Sequence, residues 1–129
     1  MKYYNSKTVS GSNFSDVKLR LIAALKNEGF GVLTQIDLKE TMKNKLDKDY
    51  LPHTILGACN PIYADKVLSI DAHTSVMLPC NVTIRELESG EIEVSSINPS
   101  AAMSAIGDEK IIPIANEVQT KLLNVITGL

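Results

Sequence analysis

The residues most able to do chemistry in this chain are its two cysteines, and they stand in closely similar settings: Ala58-Cys59-Asn60-Pro61 and Leu78-Pro79-Cys80-Asn81. Each thiol is followed by an asparagine and has a proline close by. A thiolate is the nucleophilic and metal-binding form of cysteine, and a helix N-terminus favours it through oriented N–H groups and the positive end of the helix dipole. Cys59 meets that condition, because Asn60 can cap a helix whose first residue is Pro61, where a missing N–H costs nothing. Cys80 lies in the next strand. If the two strands run antiparallel, the thiols are neighbours, with Cys59 the more reactive and Cys80 its partner.

Three chemistries are open to such a pair. A reversible disulfide would close a loop of roughly 20 residues, worth about 3 kcal/mol in the chain-entropy model. A metal centre would recruit His53 and His73 into a Cys2His2 set with Cys59 and Cys80, although the spacing lacks the close C-x2-C and H-x3-H pairs of structural zinc sites. A small-ligand pocket would set the amides of Asn60 and Asn81 beside the thiols, with Pro61 and Pro79 shaping its walls. Against these stands a plain alternative. Free cysteine packs as a small hydrophobe, both asparagines can tie backbone together, and the chain is then a structural or oligomerisation module.

Nothing else in the sequence offers a reaction. There is no G-x-S-x-G, P-loop, G-x-G-x-x-G or H-E-x-x-H, and no defensible Ser/His/Asp set. The acidic residues are scattered over solvated faces, without a tuned carboxylate pair. No cofactor is expected, no catalytic residue can be named, and binding is favoured over enzymatic turnover. The net charge of −2 and the lack of a basic stripe interleaved with aromatics argue against nucleic acid. Met1-Lys2-Tyr3-Tyr4-Asn5-Ser6 lacks an apolar leader core, and no apolar run approaches the ~20 residues that cross a bilayer. The expectation is a cytoplasmic protein without membrane contact, in which the cysteines are free thiols, ligands or redox groups rather than a permanent disulfide.

At 129 residues, one domain over 1–129 is expected. With 44% hydrophobic but only 5% aromatic residues, its core must rest on Leu, Ile, Val, Met and Ala. An edge strand over Lys2–Ser10 precedes a helix capped by Asn13 or Ser15, striped by Val17, Leu21, Ala24 and Leu25 and stopped at Gly29. Gly31–Asp37 and His53–Cys59 read as inner strands. Between them, Leu38–Leu46 reads as a short helix with Leu38, Met42 and Leu46 on one face. The Pro61 helix runs to about Ile70. Ser75–Leu87 reads as a long strand that turns at Ser89-Gly90 into Ile92–Ile97. A short helix over Ser100–Ile106 ends at Gly107. Asp108 then caps a last helix striped by Ile111, Ile114, Ala115, Val118, Leu122, Val125 and Ile126, with a late start at Pro113. Two one-sided helices need one sheet face to cover, so the fold class is α+β: a two-layer sandwich on a mainly antiparallel sheet of about five strands.

The strings Gly29-Phe30-Gly31-Val32-Leu33-Thr34-Gln35-Ile36-Asp37-Leu38-Lys39-Glu40-Thr41, Ile55-Leu56-Gly57-Ala58-Cys59-Asn60-Pro61 and Leu78-Pro79-Cys80-Asn81-Val82 resemble the bacterial and archaeal domain of unknown function 302 family. Leu46, and Asn98-Pro99 followed by Met103, fit the same pattern. Thr74-Ser75-Val76-Met77 departs from it, standing where the family has a glycine and more leucines. The resemblance implies a strand–helix–four-strand–helix sandwich of the TATA-binding-protein-like fold group, and a homodimer. It implies no activity, and the fold name carries no DNA binding, because function belongs to sites rather than folds.

Overall fold

The computed structural model describes residues 2–129; Met1, which opens the run read above for a leader segment, lies outside the described residues. The elements are β1 (Tyr4–Val9), α1 (Phe14–Asn27), β2 (Gly31–Asp37), α2 (Leu38–Leu46), β3 (His53–Cys59), α3 (Pro61–Ile70), β4 (Cys80–Glu86), β5 (Ile92–Ile97), α4 (Pro99–Met103) and α5 (Ile112–Thr127). The strands form one five-stranded sheet in the order β1-β5-β4-β3-β2, with every neighbouring pair antiparallel. This is the α+β sandwich that the two amphipathic stripes require.

Strand alternation decides which side of the sheet is covered. Leu56 and Ala58 of β3, Val82 and Ile84 of β4, and Ile92 and Val94 of β5 are all fully buried. They share one cluster with Val17, Leu21 and Leu25 of α1 and with Val118, Leu122, Val125 and Ile126 of α5. Removing a Leu or Val side chain from water in this way contributes about 2 kcal/mol. A second cluster of Val67, Met103, Ile111 and Ala115 lies under α3, α4 and the start of α5, with Met77 and Leu78 against it. β1 is tied to α5 by a reciprocal amide pair: Asn5 Nδ2 donates to Gln119 Oε1 at 3.0 Å, and Gln119 Nε2 donates to Asn5 Oδ1 at 2.9 Å.

The ends of α1 follow from its sequence. Asn13 Oδ1 accepts from the Asp16 N–H at 2.8 Å. At the far end Phe30 N donates to Leu25 O at 2.9 Å around Gly29, whose φ of 89° is left-handed. That is the glycine-terminated helix end the sequence predicts, and it buries Phe30.

Four expectations need correction. Gly31–Asp37 is an edge strand and not an inner one, because β3 has β4 on its other side; Leu33 and Ile36 stand 66% and 46% exposed. The face of α2 buries no residue, and Leu46 is 59% exposed. The long strand expected from Ser75 begins only at Cys80, since Ala72–Met77 winds into a 3-10 helix. Asp71 starts that turn, its Oδ1 accepting from the His73 N–H at 2.9 Å and its backbone oxygen accepting from Thr74 Oγ1 at 2.7 Å. Asp108 caps the turn before α5 by accepting from the Lys110 N–H at 2.8 Å, while the helix itself starts later, at Ile112, with Pro113 in its first turn.

Candidate functional site

Antiparallel pairing of β3 and β4 sets Ala58 opposite Cys80 and Gly57 opposite Asn81. Cys59, the last residue of β3, is thereby adjacent to Cys80, the first of β4. Both thiols are free; Cys59 is half-buried and Cys80 is buried. Cys80 and the chain at Cys59 line one cavity of about 30 Å³, walled mainly by Phe30, Tyr63, Val67, Leu78, Met103 and Val118; alternation from the Ala58–Cys80 pair turns the Cys59 side chain toward the other sheet face. The cavity lies where the two hydrophobic clusters meet. It offers room for one or two waters, but its walls are almost entirely apolar and give water few partners. Burial pushes the Cys80 thiol up to about 11, and the nearby Cys59 adds to the rise. The pair is thus asymmetric: Cys59 is half-buried, and the Cys80 thiol is held neutral in the core.

The neighbouring residues divide between the two faces of the sheet. Asn60 is buried, 7% exposed, and occupies the cap position of α3 without a side-chain cap bond; Pro61 is the first helical residue as expected. The Asn60 amide is used elsewhere, Nδ2 donating to Glu28 O at 3.2 Å and so joining the end of α1 to the end of β3. Gly29 packs so close that a Cβ there would stand 3.0 Å from Asn60 Nδ2. Asn60→Ala should therefore cost about 1–2 kcal/mol, because the part-buried Glu28 carbonyl loses its donor and the buried amide its packing. A urea midpoint lowered at unchanged slope would record this; an unchanged midpoint would show that the amide does not hold the two elements together.

Asn81 does not join Asn60 beside the thiols. Alternation puts it on the uncovered sheet face, exposed, in a groove with Tyr4 and Thr83, so the expected pair of amides is corrected to one. Pro79, joined to Leu78 by a cis peptide, lies over Gly57 on that same outer face, its Cγ 2.8 Å from where a Gly57 Cβ would be. The Cys2His2 set, weighed against its poor spacing, is not assembled either. His53 starts β3, six residues or about 20 Å of extended strand from Cys59, and pairs in register with Arg85. Its pKa is lowered, first by burial and then by the Arg85 cation. His73 is exposed on the 3-10 turn, its Nδ1 3.1 Å from Asp71 Oδ1. Among the described residues no group of three or more His, Cys, Asp or Glu could hold a metal ion.

Sequence reasoning missed the mouth of the cavity. Asn60 and Tyr63 line both the cavity and an adjoining surface groove that reaches Glu28, Ile62 and Lys121. The Tyr63 ring has Lys66 Nζ 5.2 Å from its centroid and Lys121 Nζ at 5.9 Å; Lys121 also lies 3.7 Å from Glu28 Oε2. Tyr63 stands three positions after Asn60, a helical spacing that could have flagged it. Lys121 comes from α5 and had no local signal. Among the described residues, no helix is long and apolar enough to cross a membrane.

The family model described as "Domain of unknown function DUF302" matches residues 5–129. A protein of Aquifex aeolicus (strain VF5) described as "Uncharacterized protein" is 28% identical over 97 residues, which is 75% of this chain and 61% of that protein. The chain thus spans about three fifths of the length of the curated relative it matches. A crystal structure of an uncharacterized conserved DUF302 protein from Bacillus stearothermophilus superposes with a TM-score of 0.91 at 26% identity, covering 98% of each chain.

Proposed function

Because the chain belongs to the DUF302 family, whose description assigns no activity, we propose from the geometry that it is a small-ligand-binding, thiol-linked protein whose site is the Cys59–Cys80 cavity. What supports this reading is that Cys59 and Cys80, at adjacent strand ends, are both among the residues lining this apolar cavity, Cys59 half-buried and Cys80 buried. In this reading the chain at Cys59 contacts the ligand and Cys80 forms the wall behind it. Asn60 and Pro61 fix where α3 begins, and Pro79 fixes where β4 begins. The apolar cavity takes the small end of the ligand, and anything larger lies in the groove at Tyr63. Native-state alkylation followed by peptide mass mapping tests the reading. One modification, at Cys59, is expected. A folded protein in which neither thiol reacts would overturn it.

A rival reading also has a specific observation behind it, since Cys80 belongs to the main hydrophobic cluster. Both cysteines would then be packing residues, and the exposed Leu33 and Ile36 of edge strand β2 would be covered by a second copy of the chain. A Cys59→Ser, Cys80→Ala variant separates the two. Under the thiol-site reading it keeps its fold and its mass by light scattering but loses alkylation and ligand uptake. A dimeric mass together with unreactive wild-type thiols would favour the structural module.

A further inference from the structure

Resting on the reading of this cavity as a ligand site, we propose that the ligand is a small apolar α-amino acid, its side chain in the cavity and its zwitterionic head at the first turn of α3. Size and polarity come first. The cavity of about 30 Å³ is walled almost wholly by apolar atoms. It has room for an alkyl group of roughly one to three carbons, and a polar group placed there would lose its hydrogen bonds to water. The rest of the ligand must lie in the adjoining groove, which shares Asn60 and Tyr63 with the cavity.

That groove offers both donors and acceptors. Ile62 and Tyr63, in the first turn of α3, line it, and among the described residues their backbone N–H groups have no partner. The Asn60 side chain does not cap them, and no acidic residue stands in that turn. These donors suit a carboxylate, as do Lys121 at the groove and Lys66 over the Tyr63 ring. The acceptors stand beside them. Asn60 is only 7% exposed, and while its Nδ2 is engaged by Glu28 O, its Oδ1 accepts no hydrogen bond. Among the described residues no fully enclosed polar side-chain atom is left unpaired, so this oxygen is open to the mouth. Glu28, with Oε2 3.7 Å from Lys121 Nζ, adds a carboxylate. An ammonium group is the donor that both acceptors would hold. In an α-amino acid, carboxylate, ammonium and side chain leave a single carbon, so one compact molecule meets all three regions. A simple carboxylate would leave the acceptors unused, and a simple amine would leave the α3 donors unused.

Titration of the isotope-labelled whole chain, followed by amide NMR, tests the proposal. The probes are L-valine, isovalerate, which lacks its ammonium, and isobutylamine, which lacks its carboxylate. Valine should shift the Ile62 and Tyr63 amide signals and the Asn60 side-chain signal. It should bind about fivefold more tightly than either analogue, the size expected of an exposed charge pair. From glycine through L-alanine to L-valine, affinity should rise about fourfold per added carbon, and L-tryptophan, too large for the cavity, should bind no better than glycine. Lys121→Gln should weaken valine and isovalerate about threefold but not isobutylamine. Isovalerate or isobutylamine binding as tightly as valine overturns the proposal, and so does an affinity that is flat from glycine to valine. If iodoacetamide modifies Cys59 while valine does not bind, only this inference fails. If neither thiol reacts while valine binds in the stated order, the thiol-linked part of the proposed function fails and the amino-acid site stands.

Discussion

Iodoacetamide at pH 8 should modify Cys59 at least about a hundredfold faster than Cys80. With its thiol raised to about 11, Cys80 is ionised in only about one molecule in a thousand at that pH. Its 8% exposure further restricts attack to moments of local opening. Peptide-resolved labelling rates check this, and the Cys80 rate should climb about tenfold per pH unit until pH 11. Equal rates for the two thiols at pH 8 would contradict the asymmetry on which the proposed function stands. The same burial makes a statement about stability, and its sign is fixed. The fold raises the thiol from the ordinary 9.0 to about 11, so it favours the neutral form. That contribution is complete below pH 9 and is lost between pH 9 and 11, as the unfolded chain ionises first. The loss amounts to about 2–3 kcal/mol. Other groups titrate in that range, so the relevant quantity is the wild-type drop minus the drop in Cys80→Ala, read from urea unfolding at pH 8 and 10.5.

Gly57→Ala should be the most damaging single-methyl change in the sheet, at about 2–3 kcal/mol. The added Cβ would fall within contact distance of Thr34 Oγ1 and 2.8 Å from Pro79 Cγ. Neither neighbour can easily give way, since Thr34 is held in register opposite Gly57 by the β2–β3 ladder and the Pro79 ring is rigid. Gly31→Ala is the control: it lies in the neighbouring strand β2, and its Cβ would meet nothing within 4 Å. Thr34→Ala in the Gly57→Ala background should return part of the loss, leaving the share due to Pro79. If Gly57→Ala unfolds at the same urea concentration as Gly31→Ala, the close packing described here is absent. Pro79 directly precedes Cys80, so the substitution should also change the rate at which Cys80 is labelled.

Much of this fold could be read from local chemistry. Asn13, Gly29 and Pro61 mark helix ends by mechanisms that act within a few residues, and those ends stand where the sequence puts them. Antiparallel pairing of β3 with β4 was the condition for neighbouring cysteines, and the sheet has that pairing, with Ala58 opposite Cys80 and Cys59 the next residue along. Elsewhere one local signal overrode another. Thr74, Val76 and Met77 suit a strand, yet Asp71 winds them into a 3-10 turn through its own backbone and side-chain oxygens. Asn81 was misplaced by the likeness of the two Cys-Asn steps, although strand alternation after buried Cys80 already sends it to the opposite face. The edge position of β2 and the arrival of Lys121 beside Tyr63 depend on contacts between distant segments, for which no local pattern exists.

The order β1-β5-β4-β3-β2 carries a consequence for synthesis. The first strand made pairs with the last, so that Asn5 must wait for Ser96 to be added. The helix tied to β1 through Gln119 is later still. A growing chain can assemble the β2–β5 meander from neighbouring strands, but its buried face stays incomplete until the α5 residues have left the ribosome. The sandwich therefore closes after nearly all of these residues have been made, and the wall of the thiol cavity supplied by α5 is among the last pieces to arrive.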